Sequence, residues 1–321
     1  MKILLIPGLT LPEFSTEDVA RIRAAAGSAA EVIVTTPAEA LTHAAQTEVI
    51  LGPVPREFFQ AAPRLRWVQA TSSGVDPFMY PEFRDSDVIL TSEKGLVGEH
   101  LADHGFGLLL TLTRQLPRTF RMGPDAWHHR PALRRQMVEL SGLTMGIIGF
   151  GGTGRAMARR AHAFGMHCQA LDRDAVPPSP EVAEVQGPAF FPTLLATSDV
   201  VAICCPLTQE TKGLFNDAAF THMKPSAFLV NVTRGEVVVE AALVRALQAK
   251  QIRGAALDVA PREPLPPDSA LWDMENVVMT PHTAGASQYR AGRNIERFVR
   301  NLGHLQRNEP LEGVIDKQLG Y

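Results

Sequence analysis

The sequence has little of what indicates a disulfide-stapled, membrane-spanning or nucleic-acid-binding protein. Only three cysteines occur in 321 residues, and none has the spacing of a disulfide framework or of a metal site. No apolar run reaches the roughly 20 residues that a transmembrane helix needs. The net charge of −3 gives no electrostatic reason to expect nucleic acid or an anionic membrane as a partner. These absences favour a globular protein of a reducing compartment, and we expect a cytoplasmic location.

The N-terminus reads as a strand rather than as a targeting segment. Its first residues, MKILLIPGL, superficially resemble a signal peptide, but Pro7 and Gly8 interrupt the apolar run and no cleavage pattern follows. Apolar runs then alternate with amphipathic segments, which predicts a small parallel α/β sheet. We predict strands at residues 2–6, 31–34, 48–51, 67–70 and 88–91, and helices at residues 15–26, 38–45 and 55–61, the first capped by Ser15.

Residues 143–172, LTMGIIGFGGTGRAMARRAHAFGMHCQALD, have the pattern strand, glycine turn, helix and strand. Gly149 permits a tight turn, Gly151 lets a pyrophosphate approach the backbone, and Gly154 lets the helix pack closely on the strand. The helix N-terminus favours phosphate through its amides and its dipole. A glycine motif alone is weak evidence and also fits a structural turn in another α/β protein. With the flanking strand and helix it predicts dinucleotide binding.

An acidic residue ends the second strand of this unit. Asp172 lies roughly 20 residues past Gly154, which is the spacing of the carboxylate that binds the adenosine ribose hydroxyls. A carboxylate repels a 2′-phosphate, so Asp172 favours NAD(H) over NADP(H). The neighbouring Arg173 weakens this preference, because an arginine can receive that phosphate.

The length and the order of elements predict two doubly wound α/β domains with a cleft between them. Residues 1–96 and 287–321 form a flavodoxin-like substrate domain in this prediction, and residues 97–286 form a Rossmann domain that binds NAD. The basic segment 114–140 lacks an apolar period and predicts a surface excursion such as a dimer arm. Further strands are predicted at 199–204, 227–232, 254–259 and 277–280, and further helices at 95–113, 155–164, 216–223, 239–249 and about 288–308.

Three polar residues follow predicted strands of the second sheet, at the carboxyl edge where open α/β folds bind ligands. They are Arg234 in NVTRGEVV, Glu263 in LDVAPREPLP and His282 in MTPHTAGAS. A histidine exchanges a proton near neutral pH, a bonded carboxylate fixes its tautomer, and an arginine offers a forked donor. Beside a nicotinamide, this set would move a hydride and a proton across the C–O bond of a 2-hydroxy acid. Taken singly, each residue also fits a surface charge or a loop cap.

Several stretches together resemble the D-isomer-specific 2-hydroxyacid dehydrogenase family, in particular its glyoxylate/hydroxypyruvate reductases, over nearly the whole chain. They are LSGLTMGIIGFGGTGRAMARRAHAFGM, CCPLTQETKGLFN, MKPSAFLVNVTRGEVVVEAALVRALQ, GAALDVAPREPLP and NVVMTPHTAGAS. The resemblance implies that Arg234 binds and polarises the substrate, that His282 is the general acid/base and that Glu263 is its partner. It implies that the backbone of Ser73 and Gly74 binds the substrate carboxylate.

The resemblance also implies which residues line the cofactor. Gly152 stands where relatives often carry a large basic residue, so one phosphate contact is missing here. Asp258 and the backbone near Val232 would hold the nicotinamide carboxamide. The full set is Gly149, Gly151, Gly152, Thr153, Gly154, Asp172, Cys205, Val232, Asp258 and His282, with no metal ligand among them.

The implied reaction is hydride transfer between NAD(H) and a small 2-oxo or 2-hydroxy acid, with glyoxylate and hydroxypyruvate as the first candidates. The resemblance further implies a homodimer built through segment 114–140, with Trp127 at or near the partner. Formate dehydrogenases share the architecture but carry glutamine at the position of Glu263. Phosphoglycerate dehydrogenases often add a regulatory domain, which is not expected here because the chain stops at Tyr321. A nucleotide-sensing scaffold or corepressor on the same fold would usually carry a recruiting tail, and none stands out.

Overall fold

All strand pairings within the two sheets of the structure, a computed structural model that describes residues 1–321, are parallel. The chain divides into two units. Unit 1 comprises Met1–Val97 and Ala286–Tyr321, and unit 2 comprises Gly98–Gly285. Unit 1 contains a five-stranded sheet and unit 2 a seven-stranded sheet. The predicted α/β class with two parallel sheets is therefore confirmed.

Strands and helices alternate along most of both units. The strands are β1 (Lys2–Leu5), β2 (Glu31–Val34), β3 (Val49–Leu51), β4 (Trp67–Gln69), β5 (Ile89–Thr91), β6 (Thr144–Ile148), β7 (His167–Leu171), β8 (Val185–Gln186), β9 (Val200–Ile203), β10 (Phe228–Asn231), β11 (Gly254–Leu257) and β12 (Val277–Met279). The helices are α1 (Thr16–Ala26), α2 (Arg56–Gln60), α3 (Pro81–Arg84), α4 (Gly98–Thr113), α5 (Leu116–Met122), α6 (Arg130–Gln136), α7 (Gly152–Ala163), α8 (Phe191–Thr197), α9 (Asp217–His222), α10 (Glu240–Gln248) and α11 (Arg290–Gln306).

In unit 1 the strand order is β2-β1-β3-β4-β5. Helices α1 and α11 cover one face, where Phe298 of α11 stacks on Trp67 of β4 with 4.9 Å between the ring centroids. Helix α1 begins with a capping box. The Ser15 hydroxyl accepts from the Asp18 amide, and the Asp18 carboxylate accepts from the Ser15 amide. This exchange satisfies two amides that lack partners within the helix.

In unit 2 the strand order is β12-β11-β10-β9-β6-β7-β8. The chain runs outward from β6 through β7 to β8 and then returns to β9 on the other side of β6. Such a reversal is a topological switch point, where open α/β sheets bind ligands. Helices α4 and α7 cover one face of the sheet, and α8, α9 and α10 cover the other. The central strands are accordingly almost entirely buried.

Helix α4 lies directly against the first turn of α7. A Cβ atom at Gly98 would lie 2.4 Å from the Gly152 carbonyl oxygen, so only glycine fits there without displacing backbone. Further along α4, a Cβ at Gly105 would stand in ordinary contact with Met157 of α7, 3.5 Å away. The close approach fixes α4 beside the glycine turn that precedes α7.

Some predicted elements are shorter than expected because backbone geometry ends them. Helix α4 begins at Gly98 rather than at residue 95, since Gly95 has a φ of +81° that a right-handed helix does not admit. Helix α11 ends at Gln306 rather than at residue 308, where Asn308 has a φ of +52°. Buried strands lie within a few residues of their predicted bounds.

The segment 114–140 is more ordered than its sequence indicates. It forms α5, a 3-10 helix at Gly123–Trp127, and α6. Within these three helices only Leu133 is buried. The sequence therefore has no apolar stripe of helical period from which they could be predicted. In the whole structure, no helix is long and apolar enough to cross a membrane.

Candidate active site

The glycines of the turn between β6 and α7 differ in the space around them. Gly149 has a φ of +90°, and a Cβ there would lie 2.6 Å from the Cys205 amide nitrogen. A Cβ at Gly154 would lie 2.1 Å from the Gly149 carbonyl oxygen. A Cβ at Gly151 would meet nothing within 4 Å. The turn therefore packs tightly on β9 while the Gly151 backbone stays accessible, which fits the approach of a pyrophosphate.

The Asp172 carboxylate forms a hydrogen bond with the backbone of this turn. Its Oδ2 accepts from the Phe150 amide at 2.7 Å, and its Oδ1 accepts from the Asp174 amide at 3.0 Å. The carboxylate is thus fixed beside the glycine turn. The adjacent Arg173 is paired with acids, at 3.5 Å from Asp174 and 3.4 Å from Glu210. These acids offset the guanidinium charge that a 2′-phosphate would require.

The loops after β9 and β10 supply buried, mostly apolar groups to the same edge. Cys205 is buried, and burial raises the pKa of its thiol to about 12. Burial likewise raises the pKa of the Cys204 thiol. Both thiols are therefore protonated at neutral pH and act as packing groups. Val232, at the end of β10, is also buried.

Glu263 and His282 are in contact. His282 Nδ1 lies 2.7 Å from Glu263 Oε2, while Glu263 Oε1 accepts from the Ala260 amide at 3.1 Å. His282 has a φ of +54°, and its amide donates to the Asp258 carbonyl at 2.7 Å. The pair orients the imidazole and leaves Nε2 as the ring nitrogen for exchange. The side chains are 44% and 40% exposed, so the pair is accessible to a small ligand.

Arg234 stands at the start of the 3-10 helix Gly235–Val237, directly after β10. Its carbonyl accepts from Asn231 Nδ2 at 2.9 Å, and its side chain donates to the Thr233 carbonyl at 2.7 Å. A Cβ at Gly235 would lie 1.9 Å from the Ala260 carbonyl carbon. The Arg234 loop therefore abuts the loop that carries Glu263, which brings all three predicted groups to one edge of the sheet.

Asp258 follows β11 at the same edge and is fully enclosed, with a side-chain exposure of 0%. Its carboxylate accepts from the amides of Thr283 and Ala284 at 2.9 and 2.8 Å and from the Thr280 hydroxyl at 2.6 Å. His104 of α4 reaches this cluster, with Nε2 2.7 Å from Thr280 Oγ1. Thr280 and His104 were not predicted as site residues from the sequence. The available signal was a histidine within the apolar helix α4.

A family model matches more than half of the chain. The model for the NAD binding domain of D-isomer specific 2-hydroxyacid dehydrogenases matches residues 106–284. The chain belongs to the D-isomer specific 2-hydroxyacid dehydrogenases. It is 35% identical over 282 residues to the glyoxylate reductase of Korarchaeum cryptofilum, which covers 86% of this chain and 83% of that protein.

Solved structures of this family agree over the full length. A D-isomer specific 2-hydroxyacid dehydrogenase from Xanthobacter autotrophicus, solved with NADPH and MES, has a TM-score of 0.83, 28% identity, and 99% coverage of both chains. An NADPH-dependent glyoxylate/hydroxypyruvate reductase from Sinorhizobium meliloti has a TM-score of 0.81, 27% identity, and 100% coverage of both. The protein is therefore an NAD-dependent oxidoreductase that transfers a hydride between the nicotinamide and small hydroxy acids or their oxo forms.

Two further features that were predicted from the sequence belong to other parts of the chain than the carboxyl edge of the unit 2 sheet. Ser73 and Gly74, half-buried in unit 1, follow β4 at the carboxyl end of that strand, where Ser72 Oγ donates to the Gly74 carbonyl at 2.7 Å. Trp127, in the segment 114–140 of unit 2, is 76% exposed. Phe120 of the same segment is 74% exposed.

Proposed function

We propose that the enzyme reduces a small 2-oxo acid, with glyoxylate or hydroxypyruvate as the physiological type, at the edge that carries Arg234, Glu263 and His282. The observation that carries this proposal is the 2.7 Å contact between His282 Nδ1 and Glu263 Oε2. A histidine held in this way delivers a proton from Nε2 to a nascent alkoxide. The name of the Korarchaeum relative supports glyoxylate as a substrate.

His282 is the general acid in reduction and the general base in oxidation. Glu263 fixes the ring orientation and stabilises the imidazolium, since an ionised partner favours the charged form of the ring. The proton travels between Nε2 and the substrate oxygen, and the Glu263 carboxylate keeps its charge throughout. Glu263 also distinguishes this site from that of a formate dehydrogenase, which carries glutamine at this position and whose reaction transfers no substrate proton.

Arg234 binds the substrate carboxylate or carbonyl through its forked donors and stabilises negative charge as it develops on the carbonyl oxygen. The backbone of Ser73 and Gly74 is the part of unit 1 that binds the substrate carboxylate. Support comes from the position of each loop at the carboxyl end of its strand, which is the ligand-binding edge of open α/β sheets.

The cofactor would be held by the glycine turn, by Asp172 and by the groups at the nicotinamide end. Gly151, Gly152 and Thr153 present backbone amides to the pyrophosphate. Asp172 binds the adenosine ribose hydroxyls and disfavours a 2′-phosphate, so NADH is preferred over NADPH. When bound, the reduced nicotinamide supplies the hydride. A further set, Gly149, Gly154, Cys205, Val232, Asp258 and His282, shapes the remainder of its binding surface.

The working form of the enzyme is a homodimer that buries the segment 114–140. Its exposed Trp127 and Phe120 support this assembly, because a partner would remove their apolar surface from water. A cytoplasmic location is part of the same proposal and is supported by three free cysteines, which suit a reducing compartment.

The test is NADH oxidation, followed by the absorbance of the reduced nicotinamide, against glyoxylate, hydroxypyruvate, pyruvate and phenylpyruvate, with NADPH in parallel. We expect turnover with glyoxylate and hydroxypyruvate and a clear preference for NADH. Turnover with phenylpyruvate alone would overturn the small-substrate proposal. NADH binding without turnover of any acid would favour a nucleotide-sensing scaffold.

A further inference from the structure

A histidine in the apolar helix α4 contacts the enclosed carboxylate at the end of β11. His104 Nε2 lies 2.7 Å from Thr280 Oγ1 and 3.3 Å from Asp258 Oδ1. Thr280 Oγ1 lies 2.6 Å from the same Asp258 oxygen. The three groups therefore meet at one point, although α4 is separated from the Thr280 loop by 176 residues in sequence.

The hydrogen bonds assign the tautomer of His104. A hydroxyl has one proton, and the short contact from Thr280 to an ionised carboxylate requires that the hydroxyl donate to Asp258. The hydroxyl oxygen can then only accept from His104, so Nε2 carries a proton. The donor chain runs from His104 Nε2–H to Thr280 Oγ1 and on to Asp258 Oδ1.

The surroundings leave this carboxylate with few other charged neighbours. Strands β10, β11 and β12, which pack against α4, contain no charged residue. The acids Glu99 and Asp103 on α4 itself are paired with arginines of α7. Past the strands, the ionisable side chains at this edge include Arg234 and the pair Glu263–His282. His104 Nε2 lies 3.3 Å from Asp258 Oδ1, so the histidine acts on this carboxylate at short range.

We infer that His104 is a positioning residue that acts through Thr280 on Asp258 and biases the site toward the reduced form of the cofactor. The inference rests on the proposed function, which places Asp258 at the nicotinamide carboxamide. Asp258 Oδ2 accepts one hydrogen bond, from the Ala284 amide, whereas Oδ1 accepts from the Thr280 hydroxyl and the Thr283 amide. Thr280, whose hydroxyl oxygen accepts from His104, thereby concentrates the donors on Oδ1 and fixes the orientation of the carboxylate.

The bias follows from the charges of the two cofactor forms. The oxidised nicotinamide ring is cationic and the reduced ring is neutral, so a bare carboxylate favours the oxidised form. Donors on Oδ1 draw negative charge away from the ring side and lessen that preference. Removal of the His104 donor should therefore weaken the binding of NADH more than the binding of NAD⁺.

Equilibrium titrations of the full chain without any 2-oxo acid test this inference. NADH binding is followed by nicotinamide fluorescence, and NAD⁺ binding is followed by its competition with NADH. The variants are His104→Leu, which removes the donor, His104→Gln, which restores an N–H at similar reach, and His162→Leu on the exposed side of α7 as the control. For His104→Leu we expect the ratio of the NADH to the NAD⁺ dissociation constant to rise about threefold to tenfold.

His104→Gln should return this ratio to within about twofold of the wild-type value, since a neutral N–H restores a normal hydrogen bond. Thr280→Val should reproduce the effect of His104→Leu, and the double variant should add little, because both act through one chain of hydrogen bonds. An unchanged ratio in His104→Leu would overturn the inference. Equal weakening of both cofactor forms in the leucine and glutamine variants would also overturn it.

The assigned tautomer gives a readout that needs neither cofactor nor activity. Nitrogen-15 NMR of the histidine side chains, with His104 assigned by its loss in His104→Gln, should show the Nε2–H form. An Nδ1–H form would overturn the proposed donor chain. Wild-type protein that binds NADH but reduces no 2-oxo acid would contradict the proposed function and leave the titrations of His104 fully interpretable.

Discussion

Glu263 has a different partner for each of its carboxylate oxygens. Oε1 accepts from the Ala260 amide at 3.1 Å and Oε2 lies 2.7 Å from His282 Nδ1. The backbone contact locks the carboxylate, and the carboxylate in turn locks the imidazole. Residue type and position after a strand were sufficient to nominate both side chains from the sequence, because a parallel sheet gathers its carboxyl ends at one edge.

Glu263→Gln should separate the charge of this side chain from its shape. The amide can still contact His282, but it no longer stabilises the imidazolium, so kcat should fall about a hundredfold. The affinity for NADH, measured by nicotinamide fluorescence, should be unchanged. Glu275→Gln, at an exposed position before β12, is the matched control. A kcat within about twofold of wild type would contradict the role of Glu263.

Asp172→Ser should relax the choice between NADH and NADPH. The variant removes the negative charge next to the glycine turn, so the ratio of kcat/KM for NADPH to that for NADH should rise at least about tenfold. Asp268→Ser, at an exposed position in the loop between β11 and β12, is the control and should change the ratio far less. If the wild-type enzyme already prefers NADPH, Arg173 outweighs Asp172 and the cofactor preference is wrong.

At the scale of single elements, the glycine turn separates structural from binding requirements. Gly154 has no room for a Cβ, because the Gly149 carbonyl oxygen would lie 2.1 Å away, whereas Gly151 has open space at that position. The sequence motif names both glycines but does not tell which of them is needed for folding. The contacts in the structure provide that distinction.

Gly154→Ala and Gly151→Ala should therefore fail in different ways. Gly154→Ala forces α7 away from the turn and should lower the free energy of unfolding by about 1–3 kcal/mol, measured by urea denaturation. Gly151→Ala should leave that free energy almost unchanged while weakening NADH binding at least about tenfold, because a methyl group meets the pyrophosphate. Equal stability of the two variants would contradict this division.

The elements that the sequence predicted well are those with a strong local cause. Buried runs of apolar residues located the strands of unit 2, and Ser15 located the start of α1 through its capping box. The start of α4 was missed because the left-handed Gly95 ends the preceding turn, which composition does not reveal. Helices α5 and α6 were missed because they bury almost no apolar stripe.

At the scale of the whole molecule, the parallel sheets of both units follow from the alternation of strands and helices, but contacts between distant segments do not. His104 meets Thr280 across 176 residues, and no local pattern pairs an α4 histidine with the loop after β12. Arg234, Glu263 and His282 could be nominated because each follows a strand. His104 could not be, because its partner is set by how α4 packs on the sheet.

The assembly provides a prediction at this scale. Light scattering should give twice the 34.9 kDa of one chain. The double variant Phe120→Ser and Trp127→Ser removes the two most exposed aromatic groups of segment 114–140 and should shift the protein toward monomer at micromolar concentration. Trp272→Ser, which alters an aromatic group that is 51% exposed outside that segment, is the control. A monomeric wild-type protein would contradict the proposed dimer.

The central claim is that His282 carries the proton in the reduction of a small 2-oxo acid, and one comparison tests it most directly. The turnover of glyoxylate with NADH is measured for the wild-type enzyme and for His282→Ala, with NADH affinity determined on the same preparations. We predict a loss of turnover of about a thousandfold or more, with NADH affinity nearly unchanged. An His282→Ala enzyme that turns over at the wild-type rate would contradict the account.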